Sequence, residues 1–276
     1  MPAEAAALTR HYQTEDLLGR IRAALKEAGA DPTAPSPDDL KPVDEFHTGG
    51  LEATEALLSQ LEIGPDMTVL DLGSGIGGTA RYIAHRFGAR VTGVDLTPQF
   101  VDVATALSAM CGLEPAPLFL AGSVTDLPVE DGAFDLATMF HVGMNIADKP
   151  RLFFEASRAL RPGGRFALFD IMAGTGEIGF PAPWSPNAAN SFVATPEVYR
   201  AAAAAAGFTL IGERDRGAYA RDFFTRVIAA SADGPPPPVG LHLLMGDGAA
   251  ERYVNAVTAA MNGATVPWEM IFQKPA

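Results

Sequence analysis

Four glycines fall within Gly73-Ser74-Gly75-Ile76-Gly77-Gly78, directly after the apolar run Val69-Leu70-Asp71-Leu72 and directly before the helical run Thr79-Ala80-Arg81-Tyr82-Ile83-Ala84. Glycines at a strand-to-helix crossing permit positive φ and let a ligand approach the backbone closely. The run satisfies G-x-G-x-x-G, and Asp95 follows at the separation expected of a ribose-binding carboxylate. Glycine spacing alone also fits a tight turn with no ligand. Either way it marks a β-α-β unit.

The flanking pattern repeats that unit. Short β-branched or apolar runs at 68–72, 90–94, 117–121, 134–140 and 165–171 alternate with helical stretches at 77–87, 98–111 and 149–160. Such alternation predicts a parallel sheet with crossover helices. Thr195-Pro196-Glu197 reads as a helix start, continued by the alanines 201–206 and stopped by Gly207. Strands are expected at 208–211 and 268–272. Between them, helices at 217–231 and 247–262 flank the tetraproline 235–238. A helix is expected around 16–25, Asp31 to Pro37 breaks it, and another runs from Gly50 to about Leu61. The predicted division is a helical cap or lid over 1–64 and a core over 65–276, with a lid loop at 171–195 and a helical insertion at 217–262.

Composition narrows the partners. The chain of 276 residues carries a formal charge of −13, with scattered basic residues, which argues against a nucleic-acid partner. No apolar run reaches the roughly 18–20 residues that span a bilayer, so no membrane insertion is expected. No secretory leader is evident, and the single cysteine, Cys111, excludes a disulfide framework or thiolate metal cluster. A cytoplasmic protein without a metal is the expectation, as a monomer or homodimer.

Asp71 separates two cofactor readings. In a dinucleotide site the helix N-terminus faces a pyrophosphate, and a carboxylate just before the turn opposes that anion. S-adenosylmethionine instead carries an ammonium and a sulfonium, which an acidic strand end favours. Asp95, closing Val91-Thr92-Gly93-Val94-Asp95, suits the ribose hydroxyls of either ligand, or simply caps the next helix.

The segments Val69 to Gly77, Gly93-Val94-Asp95, Asp131-Gly132-Ala133-Phe134-Asp135-Leu136 and Leu160-Arg161-Pro162-Gly163-Gly164-Arg165-Phe166 together resemble the class I S-adenosylmethionine-dependent methyltransferases. The flavour is that of the small-molecule branch that includes quinone, sarcosine and phosphoethanolamine methyltransferases. The resemblance covers roughly residues 45–215. It implies an α/β, doubly wound, mostly parallel seven-stranded sheet of Rossmann-like type whose last strand is antiparallel. It also implies that Asp71, Gly73, Ser74, Gly75 and Gly77 hold the methionine end, that Asp95 binds ribose, and that Leu96 packs on adenine. Many relatives carry an aspartate after the third strand; here Ser123 and Val124 stand in its place.

The acceptor site is expected beyond the ends of strands 4 and 5. His141 is the first candidate for a base or orienting group, since imidazole titrates near neutrality; a capping or core histidine is the plainer reading. Asn145 occupies a position where phosphoethanolamine methyltransferases, by resemblance, carry a catalytic histidine. His47 and Phe46 lie in a segment where related enzymes place a lid, and Tyr12 is a weaker third choice. Asp170, Phe180 and Trp184 follow strand 5 in a Gly- and Pro-rich connection that suits an active-site lid. His242, in the late insertion, closes the same pocket or packs on the sheet. The function these readings favour is methyl transfer to a small-molecule acceptor. The rivals are an NAD-dependent oxidoreductase, which leaves Asp71 unexplained, and a non-catalytic S-adenosylmethionine-binding subunit.

Overall fold

The structure is a computed structural model that describes residues 3–12, 15–231 and 237–276, so Pro235 and Pro236 of the tetraproline lie outside the described residues. Seven strands form one sheet: β1 Thr68–Leu72, β2 Arg90–Asp95, β3 Leu118–Ala121, β4 Phe134–Phe140, β5 Leu160–Ala173, β6 Thr209–Asp215 and β7 Thr265–Gln273. Their order is β3-β2-β1-β4-β5-β7-β6. The pairings among β1 to β5 are parallel, and β7 runs antiparallel to both β5 and β6. Chain order reverses between β1 and β4, which opens a crevice at their carboxyl ends. The sheet is the doubly wound, mostly parallel one expected.

Eleven α-helices are present among the described residues: α1 Ala3–Tyr12, α2 Leu17–Glu27, α3 Pro37–Asp44, α4 Gly50–Leu58, α5 Gly78–Phe87, α6 Pro98–Met110, α7 Lys149–Ala159, α8 Pro196–Ala205, α9 Gly217–Ser231, α10 His242–Met245 and α11 Ala249–Met261. On one face of the sheet, Leu152, Phe153 and Ala156 of α7 and Tyr199 and Ala202 of α8 pack against Leu70, Met139 and Phe166. On the other, Ala53 and Leu57 of α4 and Ala80 and Ile83 of α5 pack against Val69, Leu136 and Phe169. Strands covered on both faces read as continuous apolar runs, and β1 and β4 do so. A third cluster joins Ile21 and Leu25 of α2, Leu40 and Val43 of α3, Phe100 and Leu107 of α6, and Leu243 and Leu244 of α10.

Three local expectations shift. Residues 31–37 read as a breaker, yet Pro37 begins α3: Ser36 and Asp39 form a reciprocal capping box, and proline is tolerated at the first helical position because its amide would be unpaired there. The fifth strand starts at Leu160, which pairs with Phe134, because Pro162 biases Arg161 towards extended backbone and ends α7 at Ala159. α4, on the cap side of the expected division at 64, buries its apolar face in the core of the sheet.

One buried cation joins cap to core. Arg81, in the first turn of α5, is fully buried and ion-paired with Asp44 at the end of α3. Its Nη1 donates to the Ile76 carbonyl in the glycine turn at 2.8 Å, and to the Ala104 carbonyl and Ser108 Oγ in α6 at 3.4 and 3.3 Å. Removing one partner of a buried pair strands the other, whereas replacing both with apolar groups is often close to neutral. R81M should therefore lower the unfolding free energy by about 3–5 kcal/mol in urea titrations. The double variant R81M/D44L should recover more than half of that loss.

Candidate active site

The turn after β1 is pinned to the neighbouring strand. Gly73 and Ser74 each donate their backbone N–H to the Val94 carbonyl, at 2.8 and 3.1 Å. Gly73, Gly75 and Gly77 all adopt positive φ, between 53° and 88°, a region that residues with a Cβ rarely enter. The Gly75 N–H then points to Asp95 Oδ2 at 2.9 Å, while Oδ1 accepts the Thr97 N–H at 2.8 Å. Each carboxylate oxygen retains a second lone pair. Burial raises the Asp95 pKa, against the bonds from Thr97 and Gly75.

Asp71 lies at the same edge, 2 % exposed, opposite Thr138 of β4. Burial pushes its carboxyl up to about 7, although the Thr138 hydroxyl donates to it at 2.8 Å and opposes that rise. A buried carboxylate with so little compensation favours a cationic guest. Beside it, the Ser74 hydroxyl is buried with no partner among the described residues. Leu96, Phe100, Val124 and Ile146 give the same cleft apolar walls.

A second cavity of about 500 Å³ adjoins this cleft, and Tyr12, Phe46, His47 and His141 border both. His141 follows β4 with φ 53°, its N–H still donating to the Phe169 carbonyl of β5 at 2.8 Å. A non-glycine residue held at positive φ is uncommon and concentrates at functional sites. Burial, and then the neighbouring His47, lower the His141 pKa well below its ordinary value, so the ring is neutral near pH 7. Its Nε2 is buried without a partner among the described residues.

The two imidazole centroids lie 5.7 Å apart. His47 Nε2 sits 2.9 Å from Glu45 Oε2, and the Thr54 hydroxyl donates to that same oxygen at 2.7 Å. Lys41 donates to the other carboxylate oxygen at 3.3 Å. Burial alone would raise the Glu45 pKa; the His47, Lys41 and Thr54 contacts overcome it and hold the carboxyl down at about 2. The Glu45 carboxylate thus holds the His47 ring through Nε2, while Nδ1 faces the Thr48 carbonyl at 3.4 Å.

The structure gathers most of the expected site residues around these two spaces. Asp71, Gly73, Ser74, Gly75, Asp95, Leu96, Ser123, Val124, His141 and Asn145 line the cleft, with Tyr12, Phe46 and His47 at the seam. Trp184 lines the larger cavity, its indole N–H donating to Ser191 Oγ at 2.9 Å. Asn145 donates to the Tyr12 hydroxyl at 3.0 Å, bringing α1 over the cleft, and its Oδ1 is buried without a partner among the described residues. Ser123 Oγ is already engaged by Thr125, through its hydroxyl at 2.8 Å and its N–H at 3.1 Å.

Four of the expected residues line neither of the two spaces. Gly77 borders neither space: it precedes α5, and a Cβ there would press on Phe119 and Arg81. Asp170 is fully buried beneath the 3₁₀ turn Gly143–Asn145, where it accepts the Tyr199 hydroxyl at 2.8 Å. Burial raises its pKa to about 6, with the Tyr199 bond opposing. Phe180 packs with Met144, Ile171 and Trp184 behind the cavity wall. His242 borders neither space, whereas Leu241 and Met245 beside it line the larger cavity. Sequence reasoning missed Glu45 and Thr54, for which the spacing Glu45-x-His47 was the only local hint.

Residues 70–168 match a family model described as a methyltransferase domain. Over 135 residues the chain is 34% identical to sarcosine/dimethylglycine N-methyltransferase of Halorhodospira halochloris, a match covering 49% of this chain and 48% of that one. Over 100 residues it is 38% identical to a chloroplastic tocopherol O-methyltransferase of Arabidopsis thaliana, covering 36% and 29%. The chain thus spans about half or less of the length of the curated relatives it matches. Geranyl diphosphate C-methyltransferase from Streptomyces coelicolor A3(2) superposes with a TM-score of 0.70 at 20% identity, over 99% of this chain and 98% of that one. That is a likeness of fold.

Gly143 gives the geometry of the 3₁₀ turn its own test. A Cβ at this position would collide with Asp170 Oδ2 and the Tyr199 hydroxyl. G143A should lower the unfolding free energy by about 1–3 kcal/mol, the usual range for overpacking a filled site, read as a shift in urea midpoint at unchanged slope.

Proposed function

We propose that this chain, whose residues 70–168 match a methyltransferase-domain model, is a class I methyltransferase that transfers a methyl group from S-adenosylmethionine to a small-molecule acceptor by in-line displacement. The observation that carries this reading is the cleft itself: buried Asp71 two residues before the glycine turn, Asp95 twenty residues beyond Gly75, and a separate apolar cavity adjoining the same space.

The residues fit that ligand. A carboxylate already pushed towards its neutral form by burial gains from an ammonium, and the partnerless Ser74 hydroxyl beside it gains a bond. A Cβ built on Gly75 meets no atom within 4 Å, which leaves its backbone open to the cleft. Asp71, Gly73, Ser74 and Gly75 would hold the methionine end, Asp95 the ribose hydroxyls, and Leu96 and Val124 the adenine. The same Asp71 disfavours a pyrophosphate and therefore NAD. A purely non-catalytic binding role leaves the second cavity without a purpose.

S-adenosylmethionine supplies a methyl group already activated on sulfonium. What remains for this chain is alignment, removal of water and handling of a proton where the acceptor brings one. Tyr12 and Phe46, with ring centroids 6.3 Å apart, cover the junction of the two spaces. Asn145 anchors Tyr12 there, and neutral His141 offers Nε2 to the acceptor. Among the described residues no helix is long and apolar enough to cross a membrane, which together with a free Cys111 supports a cytoplasmic setting.

S-adenosylhomocysteine should raise the melting temperature in a saturable manner while NAD leaves it unchanged. D95A should weaken the binding of S-adenosylhomocysteine by at least about tenfold, since hydrogen bonds to a charged group contribute about 1.5–3 kcal/mol; unchanged affinity would remove Asp95 from the ribose site. Asp71 also makes binding depend on pH. Its carboxyl is protonated below about 7 in the free protein, and an ammonium favours the ionised form. Calorimetric affinity should therefore rise with pH through about 7 and level off above it, and D71N should flatten that rise.

A further inference from the structure

A third space, of about 670 Å³, opens from the other end of the cleft. Leu8, Leu96, Ser123, Asn145 and Ile146 border both it and the cleft. None of these five lines the cavity that meets the cleft at Tyr12, Phe46, His47 and His141. The two cavities therefore join the cleft at separate places. Trp184 is the one described residue that lines both of them. It is buried, with its indole N–H held by Ser191 Oγ at 2.9 Å, and so stands as a partition between them.

The seating of the cofactor decides what faces this third space. With the ribose on Asp95 and the adenine against Leu96 and Val124, the edge of the base farthest from the sugar reaches Ser123 and Ile146, where the third space begins. That edge carries the exocyclic amine. Ser123 Oγ already makes two contacts with Thr125, and a hydroxyl has three hydrogen-bonding sites in all. A single N–H of the amine takes up the site that is left, so its second hydrogen can be replaced without losing that bond. Beyond it, Pro98, Pro128, Trp184, Pro186 and Phe192 supply an apolar and aromatic wall. Ala121 and Ala147 line the same space without bordering the cleft, and both are exposed. Their short side chains keep the space wide.

On the methyltransferase reading above, we propose that the third space is an extension of the cofactor site beyond the adenine amine. The ligands it takes are adenine nucleosides carrying a neutral, one-ring aromatic group on that nitrogen. The ring lies against the apolar wall, where rings and prolines exclude water from it. The remaining N–H meets Ser123, and the ribose and amino-acid ends keep the places they have in the unsubstituted ligand. Ala121 and Ala147 determine this specificity, because a large side chain at either position fills the room that the substituent needs.

The test is calorimetric and needs no acceptor. Binding of S-adenosylhomocysteine is measured first, and its absence would remove the methyltransferase reading itself. The same compound with a benzyl group on the adenine amine is then titrated, alone and against S-adenosylhomocysteine. It should bind with a dissociation constant no more than fivefold above that of the parent ligand, and the two should compete for one site. A121W and A147W, each checked for a melting temperature near that of the parent protein, narrow the third space. At least one of them should weaken the benzyl compound tenfold or more while S-adenosylhomocysteine stays within threefold. A protein that binds S-adenosylhomocysteine but binds the benzyl compound more than fivefold more weakly overturns the proposal, as does simultaneous binding of the two. A loss of less than tenfold in both variants, or an equal loss for both ligands, places the substituent elsewhere and overturns it as well.

Discussion

The guanidinium of Arg81 is the contact on which the site depends. It is buried where α5 leaves the glycine turn, bonded to the turn through Ile76, to α6 through Ala104 and Ser108, and to the cap through Asp44. Burial raises the pKa of Asp44 and Arg81 opposes that rise, so removing either partner would leave the other buried and uncompensated. One residue beyond Asp44 stands Glu45, and two beyond that His47. The ion pair therefore sets the end of α3, and with it the position of the imidazole at the seam. A cap that docked by apolar packing alone would lack that register.

Burial then arranges the titratable groups. Asp71 is held near neutrality by desolvation with a single hydroxyl partner, and Asp95 is raised against two backbone bonds. Glu45 sits in a similarly dry place and is driven the other way by His47 and Lys41. His141, with no carboxylate beside it, is left neutral. Carboxylates and imidazoles of the same kind thus take different roles according to what touches them, as paired groups in enzyme sites commonly do. The cleft end is suited to a cation, and the cavity end is walled mostly by apolar side chains.

Much of this was legible in the chain. The strand-glycine-helix crossing and the alternation downstream located all seven strands, because periodicity and glycine placement are local properties. α3 was hidden by its own start signal: Pro37 followed two other prolines and read as part of a breaker, although Ser36 and Asp39 form its cap. The position of Asp170 at the end of an apolar strand suggested a site residue, yet which side of the turn it faces is set by Gly143 and Tyr199, far apart in sequence. Glu45 and Thr54 could not be paired with His47 from spacing alone, since the chain reverses at Gly49 and Gly50 to bring them together. His141 stood out as a residue type in the right place; its strained φ and missing partner are visible only in three dimensions.

The central claim is that the cleft holds S-adenosylmethionine with its reactive end at the seam between the histidines. A crystal structure with S-adenosylhomocysteine bound tests it most directly. The expected result has both ribose hydroxyls within hydrogen-bond distance of the Asp95 carboxylate, the amino group against Asp71, and the sulfur facing the larger cavity between His47 and His141. A ligand whose sulfur turns away from that cavity, or whose ribose lies elsewhere than on Asp95, would contradict the account.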